Sequence, residues 1–130
     1  MYEAVTCDIR VRVTPRFLED ESTPDEGRYF WAYTVEITNL SLDTVQLKTR
    51  RWVITDANGR QETVRGPGVV GKTPTLAPGQ SFEYTSGCPL TTPSGIMSGS
   101  YQMELSDGRM VDVTIPSFSL DSPYAQRIIN

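Results

Sequence analysis

Residues 29–39 read YFWAYTVEITN, and this stretch decides the fold class. Aromatic and β-branched side chains dominate it, and such side chains suit the pleated, half-buried surface of a sheet. Trp31, Tyr33, Val35 and Ile37 alternate with the even-numbered residues. A period of two residues is typical of a strand with one buried face. The stretch therefore predicts a β-strand whose odd-numbered side chains face a core.

The same alternation recurs in other parts of the chain. Residues 5–13, VTCDIRVRV, predict a strand with one apolar face, made of Val5, Cys7, Ile9, Val11 and Val13. Residues 44–56, TVQLKTRRWVITD, change parity between Leu47 and Trp52, which predicts a bulge or a twist near Arg50 and Arg51. Turns are predicted at Asn58-Gly59, Pro78-Gly79 and Asp107-Gly108, and residues 88–95, CPLTTPSG, are predicted to form a loop.

These patterns predict an all-β fold. No window has sustained helical spacing of apolar residues, and about seven strands with turn signals roughly every 8–12 residues predict an antiparallel β-sandwich of the immunoglobulin or fibronectin type III kind. The length indicates one domain, 1–130, in which residues 117–130 form a tail packed over the sandwich through Phe118, Leu120, Ile128 and Ile129. A partner-binding peptide is the alternative for this tail. We expect these core side chains to be largely buried: Val5, Ile9, Val11, Val35, Ile37, Leu47, Phe82, Met103, Val111 and Val113.

The amino-acid composition excludes several classes of catalytic and binding function. The sequence has no histidine, which removes imidazole acid–base catalysis, Ser–His and Cys–His nucleophiles and most zinc or copper sites. We therefore expect no catalytic residues, no metal site and no cofactor. The net charge of -4 and the short apolar runs argue against nucleic-acid and membrane binding. We expect a cytoplasmic protein in which Cys7 and Cys88 are idle thiols, with a disulfide or a reactive thiol as the alternatives.

Residues 65–74, RGPGVVGKTP, match two nucleotide-binding patterns, GxxxxGK(S/T) and GxGxxG. Both patterns bind phosphates only where a strand turns into a helix. Pro74 biases Thr73 away from the α region, and Pro78-Gly79 would end a helix after one turn. We therefore expect no helix after Lys72, and neither nucleotide interpretation survives.

Two roles remain open for this glycine segment. Its glycines permit positive φ and close backbone approach, so the segment is either a tight connector between strands or a nest of amides that binds an anion or a partner's backbone. Val69 and Val70 are then core plugs or exposed contact residues. The segment closes the one basic region of the chain. The candidate binding residues are Gly66, Gly68, Val69, Val70, Gly71, Arg50, Arg51, Arg65 and Lys72.

Four longer stretches, RRWVITDANGR, VRGPGVVGKTPTLAPGQSFEYTSGCPL, SGIMSGSYQM and IPSFSL, resemble the ApaG family over essentially the whole chain. The pattern GxGVVGxxPxLxPGxxFxYxSG is long and specific, and the family leaves variable the positions that complete the phosphate-loop match. The resemblance implies a fibronectin type III-like sandwich in a bacterial cytoplasmic protein without an established activity. The family is named for its neighbourhood to a diadenosine tetraphosphate hydrolase and, as CorD, is linked to cobalt resistance and magnesium efflux. Related domains in eukaryotic F-box proteins and a DNA polymerase delta-interacting protein resemble protein-interaction modules.

The leading hypothesis is a non-catalytic binding module that recognises a protein partner. The alternative is a sensor that binds pyrophosphate, nucleotide or divalent cations through the glycine segment. The family's GxGxxG has prompted a pyrophosphate-binding proposal, which maps to Gly66, Gly68 and Gly71. We expect any phosphate binding to be weak, and the protein to be a monomer or a weak homodimer through an exposed edge strand.

Overall fold

Antiparallel strands form two sheets that face each other across one core. The structure is a computed structural model, and it describes residues 1–125. Within these residues it contains nine strands, which confirms the predicted all-β sandwich with two strands more than expected. Their bounds are β1 Tyr2–Thr6, β2 Ile9–Phe17, β3 Tyr29–Asn39, β4 Val45–Asp56, β5 Gln61–Pro67, β6 Thr75–Leu76, β7 Ser81–Leu90, β8 Ser94–Leu105 and β9 Met110–Asp121. Two short 3₁₀ turns, Glu19–Glu21 and Pro24–Glu26, lie between β2 and β3.

The strand order places the glycine segment at a sheet edge. The first sheet has the order β1-β2-β3-β7, and the second has the order β5-β4-β8-β9. The short strand β6 also pairs with β4, at Val45 and Gln46, whereas β5 pairs with β4 from Thr49 to Thr55. Strands β5 and β6 therefore follow each other along β4, and the glycine segment connects them.

The core lies between the inward faces of the two sheets. In β3 the odd-numbered residues from Trp31 to Ile37 are buried, as the alternation predicts. Of the side chains expected in the core, seven are at most 2% exposed: Ile9, Val11, Val35, Ile37, Leu47, Met103 and Val113. Phe82 and Val111 are only partly buried but pack against this core.

The prediction for Val5 is wrong. Residues 5–13 are not one strand, because Cys7 and Asp8 form a two-residue turn between β1 and β2 and both have positive φ, 50° and 60°. Positive φ at both central residues is the geometry of the tight hairpin turn that matches the twist of antiparallel strands. The turn reverses the chain, so β1 directs Tyr2, not Val5, toward the core, and Val5 is 54% exposed.

The other predicted turns are confirmed. Gly59, Gly79 and Gly108 have positive φ, and the first and last of them lie in the turns that connect β4 to β5 and β8 to β9. The bulge in β4 falls at Lys48, between the pairs of Leu47 and Thr49, slightly before the predicted place. This extra residue puts Arg50 and Trp52 on the inward side.

Two segments expected outside the strands belong to them. Residues 88–90 end β7 and residues 94–95 begin β8, so the loop predicted over 88–95 covers only residues 91–93. Strand β9 runs on to Asp121, and Phe118 and Leu120 are buried as part of that strand. Ile128 and Ile129, which were expected to pack with them, lie outside the described residues.

One side of the sandwich is closed. Strand β9 packs against β1 and β2, and hydroxyl groups of β1 reach its edge. Thr114 donates its backbone N–H to Thr6 Oγ1 at 3.1 Å, and Ser119 donates its backbone N–H to the Tyr2 hydroxyl at 3.3 Å. Two of the outward amides of β9 are thereby satisfied by side chains.

Within residues 1–125 the helical turns are too short to cross a membrane.

Val35→Ala tests the core assignment. The substitution removes fully buried methyl groups and leaves a cavity, so it should lower the free energy of unfolding by about 1–3 kcal/mol. Val5→Ala is the matched control, because its exposed side chain should change the stability by less than about 0.5 kcal/mol. Urea denaturation measures both values. Equal losses would contradict the strand phases described above.

Candidate binding site

The glycine segment folds as a tight hairpin, which we call the glycine hairpin, Gly68–Lys72. Val69 and Lys72 exchange two backbone hydrogen bonds of 2.8 and 2.9 Å. The two residues between them, Val70 and Gly71, have φ of 44° and 79°. This is again the two-residue turn with positive φ at both central positions. Residues 75 and 76 then form strand β6, so the structure confirms that no helix follows Lys72.

The hairpin uses most of the amides that an anion would need. Gly68 donates its backbone N–H to the Lys48 carbonyl at 2.9 Å, and the amides of Val69 and Lys72 are paired with each other's carbonyls. An anion nest needs successive amides that point outward together. This geometry favours the connector role of the segment.

The two valines of the hairpin have different roles. Val69 is 1% exposed and belongs to the core, whereas Val70 is 53% exposed at the tip. Val70 is a β-branched residue with positive φ and is therefore strained, and such strain persists where the surrounding structure imposes it. Val69 is therefore a core plug, and Val70 presents an apolar side chain to solvent.

Arg50 connects the hairpin to strand β4. Its Nη1 atom donates hydrogen bonds to the carbonyl oxygens of Pro67 at 2.8 Å and Gly68 at 2.9 Å. Gly66 lies opposite Arg50 in the β4–β5 register, and a Cβ at this position would meet the guanidinium nitrogens at 3.0 Å. The missing side chain at Gly66 thus leaves room for the guanidinium against the backbone.

The remaining basic candidates take no part in the contact between Arg50 and the hairpin. Arg51 and Arg65 are direct cross-strand partners, and the alternation along β4 turns them to the outer face of the sheet. They line a shallow groove of about 580 Å³ together with Thr49, Arg50, Gln102 and residues 66–67. Lys72 is exposed at the end of the hairpin. The structure therefore joins Arg50 to the glycine hairpin, and Arg50 also borders the groove of the Arg51–Arg65 pair.

A cleft of about 340 Å³, which we call the Arg50 cleft, opens beside the hairpin. The first sheet contributes Tyr33, Tyr84 and Ser86 to its wall, and strand β4 contributes Arg50 and Trp52. The hairpin side is formed by Pro67, Val69, Val70 and Gly71. The alternation of residues 29–39 directed Tyr33 toward the core, but no sequence pattern connected Tyr33, Trp52, Tyr84 or Ser86 with the glycine segment. The alternation along the strands predicted that these side chains point inward, but it did not predict that a cleft opens beside them.

The tyrosines of the cleft stay neutral near neutral pH. Burial raises the pKa of Tyr33, and the neighbouring Ser86 hydroxyl and the Arg50 charge oppose that effect only in part. Burial also raises the pKa of Tyr84 and Tyr101, whose hydroxyl groups are hydrogen-bonded to each other across the two sheets. Below the cleft, burial raises the pKa of the Cys88 thiol to about 11. Arg50 is therefore the charged side chain of the cleft.

A second cleft, of about 420 Å³, continues along the same side of the sandwich. Ile54, Asp56 and residues 60–62 line it from the second sheet, and residues 89–91 line it from the end of β7. Both clefts thus lie between β7 and the β4–β5 edge. We call this side of the molecule the open side.

Within residues 1–125 strand β7 pairs with β3 alone, so its other edge is free above these clefts. Asn39 donates a backbone hydrogen bond to Gln80 and accepts one from Gly79. The backbone N–H and C=O groups of the odd-numbered residues of β3 therefore point toward β7. In β7 the odd-numbered residues pair with even-numbered residues of β3, and their N–H and C=O groups therefore point away from β3. These residues are Ser81, Glu83, Thr85, Gly87 and Pro89, and Pro89 has no N–H. Within residues 1–125 no side chain donates to or accepts from the outward groups of Glu83, Thr85 or Gly87.

Known proteins match this chain closely. The ApaG domain model matches residues 19–105. A protein of Bradyrhizobium sp. (strain ORS 278), named Protein ApaG, is 59% identical over the full length of both chains. A protein of the same name from Xanthobacter autotrophicus is 58% identical, again over both full lengths. The solved structure of the ApaA protein from Bordetella pertussis has a TM-score of 0.87 at 47% identity, covering 91% of this chain and 96% of that one.

Gly68→Ala tests the connector role of the hairpin. A Cβ at Gly68, where φ is 60°, would lie 2.3 Å from the Lys72 carbonyl oxygen, so strain and a backbone clash should together cost about 2 kcal/mol or more. Gly71→Ala is the matched control, since φ there is 79° but a Cβ meets no atom within 4 Å, and the cost should be about 1 kcal/mol. Lys72→Ala should leave stability unchanged. Thermal or urea unfolding gives all three values, and equal losses at both glycines would refute the contact.

Proposed function

The chain belongs to the ApaG family, and from this premise we propose that it is a non-catalytic binding module for an extended segment of a protein partner. The observation that carries the proposal is the free edge of β7 above the open side. An exposed edge strand offers unpaired N–H and C=O groups on which an extended peptide adds one more strand. Affinity then comes from main-chain hydrogen bonds, and specificity comes from pockets for alternate side chains.

The contrast between the two sides of the sandwich supports this role. On the closed side, Thr6 and Tyr2 satisfy outward amides of β9. On the open side, the outward amides of Glu83, Thr85 and Gly87 have no partner among residues 1–125, and Pro89 near the end of the strand has no N–H to offer. Two clefts lie beneath this edge, where alternate side chains of an added strand would enter. The exposed Val70 at the hairpin tip adds an apolar contact.

The chemistry of the site supports binding over catalysis. The chain has no histidine, and the phenols of the Arg50 cleft hold their protons near neutral pH. A buried hydroxyl with a raised pKa is a poor base and a poor nucleophile at that pH. Both cysteines are free, Cys7 exposed and Cys88 buried, and free thiols fit a reducing compartment such as the bacterial cytoplasm.

A second candidate function is the sensing of a small anion such as pyrophosphate. The observation in its favour is the Arg51–Arg65 pair, because like charges directly opposite each other on two strands are destabilising and a bound anion would relieve that repulsion. Calorimetric titration with pyrophosphate tests this candidate. Saturable binding that Arg51→Gln or Arg65→Gln abolishes would support it.

Selection from a displayed library of random peptides tests the leading proposal. Peptides that bind should perturb the amide NMR signals of Glu83, Thr85 and Gly87. Thr85→Pro removes one outward N–H and leaves the ladder with β3 intact. Because one main-chain hydrogen bond to the added strand is lost, these peptides should bind the variant about tenfold more weakly. Thr85→Val is the matched control, because it keeps the N–H and loses only the side-chain hydrogen bond to Thr34.

Two outcomes would count against the proposal. One is that the selected peptides perturb residues of the closed side instead of β7. The other is that Thr85→Pro and Thr85→Val bind the peptides equally well. Concentration-dependent sedimentation of the protein alone, lost in Thr85→Pro, would indicate that β7 pairs with a second copy and not with a partner.

A further inference from the structure

Arg50 carries a charge that the described part of the chain does not neutralise. The ion pairs within residues 1–125 do not include it, and its two hydrogen bonds go through Nη1 to the carbonyls of Pro67 and Gly68. Its side chain is half-buried, so water screens this charge less than it would at the surface. Within residues 1–125 the Nη2 and Nε groups donate no hydrogen bond, so these two donors of the guanidinium are available to a ligand.

The surroundings of the guanidinium suit a small anion. Neutral hydroxyls of Tyr33 and Ser86 and the ring of Trp52 line the same cleft, and Val69 closes its base. Guanidinium groups bind carboxylates through charge-assisted hydrogen bonds, and hydroxyl groups complete the coordination of the second oxygen. One positive charge matches one carboxylate. A phosphate dianion would bring excess negative charge into a cleft that Arg51, Arg65 and Lys72 do not line.

The cleft also lies where an added strand would need a pocket. Tyr84 and Ser86 point into it, and they flank Thr85, whose N–H and C=O face the free edge. A strand paired with β7 places every second side chain on the inward face, level with those two residues. The second cleft continues beyond Ser86 along the same edge, so the partner chain runs past the Arg50 cleft and does not end there.

We propose that the Arg50 cleft binds the carboxylate of an aspartate or glutamate side chain in the partner segment. The proposal rests on the proposed function, and it names the chemistry that selects the partner. An acidic residue at one inward position pairs with Nη2 and Nε of Arg50, with the Tyr33 and Ser86 hydroxyls beside it. The carbonyls of Pro67 and Gly68 hold Nη1 and thereby fix the plane of the guanidinium.

An NMR titration with a small probe tests the site without any partner. The probe is N-acetylglutamate N-methylamide, and its matched neutral control is N-acetylglutamine N-methylamide. The glutamate probe should shift the Arg50 Nε–H signal and the amide of Ser86 saturably, with a dissociation constant in the millimolar range expected for one exposed ion pair. The glutamine probe should shift neither. Equal shifts with both probes, or tighter binding of inorganic phosphate, would overturn the proposal.

Variants identify the charge that is responsible. Arg50→Met should reduce binding of the glutamate probe at least about tenfold, and Lys72→Met, which removes a nearby charge outside the cleft, should leave it unchanged. Because Arg50→Met also removes the contacts to the hairpin, thermal unfolding checks that it folds. If Arg50→Met does not fold, the comparison of the glutamate and glutamine probes on the native protein decides whether the cleft binds a carboxylate.

Peptide selection separates this inference from the proposed function. Peptides that perturb β7 and carry one acidic residue at a fixed position support both, and selection on Arg50→Met should lose that preference. Peptides that perturb β7 without any acidic preference leave the binding module standing and overturn the carboxylate site. A glutamate probe that binds Arg50 while no peptide perturbs β7 supports the site and overturns the edge-binding function.

Discussion

Two hydrogen bonds from Arg50 to the carbonyls of Pro67 and Gly68 hold the glycine hairpin against strand β4. The hairpin needs this support, because it contains a valine with positive φ and connects two strands that share one edge of β4. Gly66 leaves room for the guanidinium, and Gly68 permits the close approach of the Lys72 carbonyl. The arginine thus holds the hairpin through one nitrogen, and Nη2 and Nε take no part in those two hydrogen bonds. The proposed recognition of a carboxylate depends on that division.

The same arrangement explains why the sandwich is open on one side. Strands β5 and β6 and the hairpin between them follow β4, while β9 on the far edge packs against β1 and β2. The β7 edge therefore faces clefts instead of a neighbouring strand. In a fold of this kind, a free edge is a liability unless something blunts or uses it. Our account holds that the protein uses it.

Much of the fold could be predicted from the sequence because its signals are local. The alternation of residues 29–39 and the Asn-Gly and Asp-Gly turns specify strands and hairpins without reference to distant residues. The turn at Cys7-Asp8 could not be predicted in this way, since neither residue is a glycine and the positive φ values are imposed by pairing of β1 and β3 with β2. The tail predicted from residue 117 was wrong in its beginning, because a bulge between the pairs of Met97 and Gly99 accommodates Pro116 and β9 continues to Asp121.

The candidate site was predictable only in part. The glycine segment could be recognised by its unusual motif, and Arg50 by its place in the one basic region of the chain. Tyr33 and Ser86 join the site only through contact between strands distant in sequence. Hydrogen exchange of the free protein, read by NMR, tests the central claim that the β7 edge is open. The amides of Glu83, Thr85 and Gly87 should exchange faster by orders of magnitude than those of Tyr84 and Ser86, which pair with β3, since protection ranges from almost none to the global stability. Equal protection of all five amides would contradict that claim.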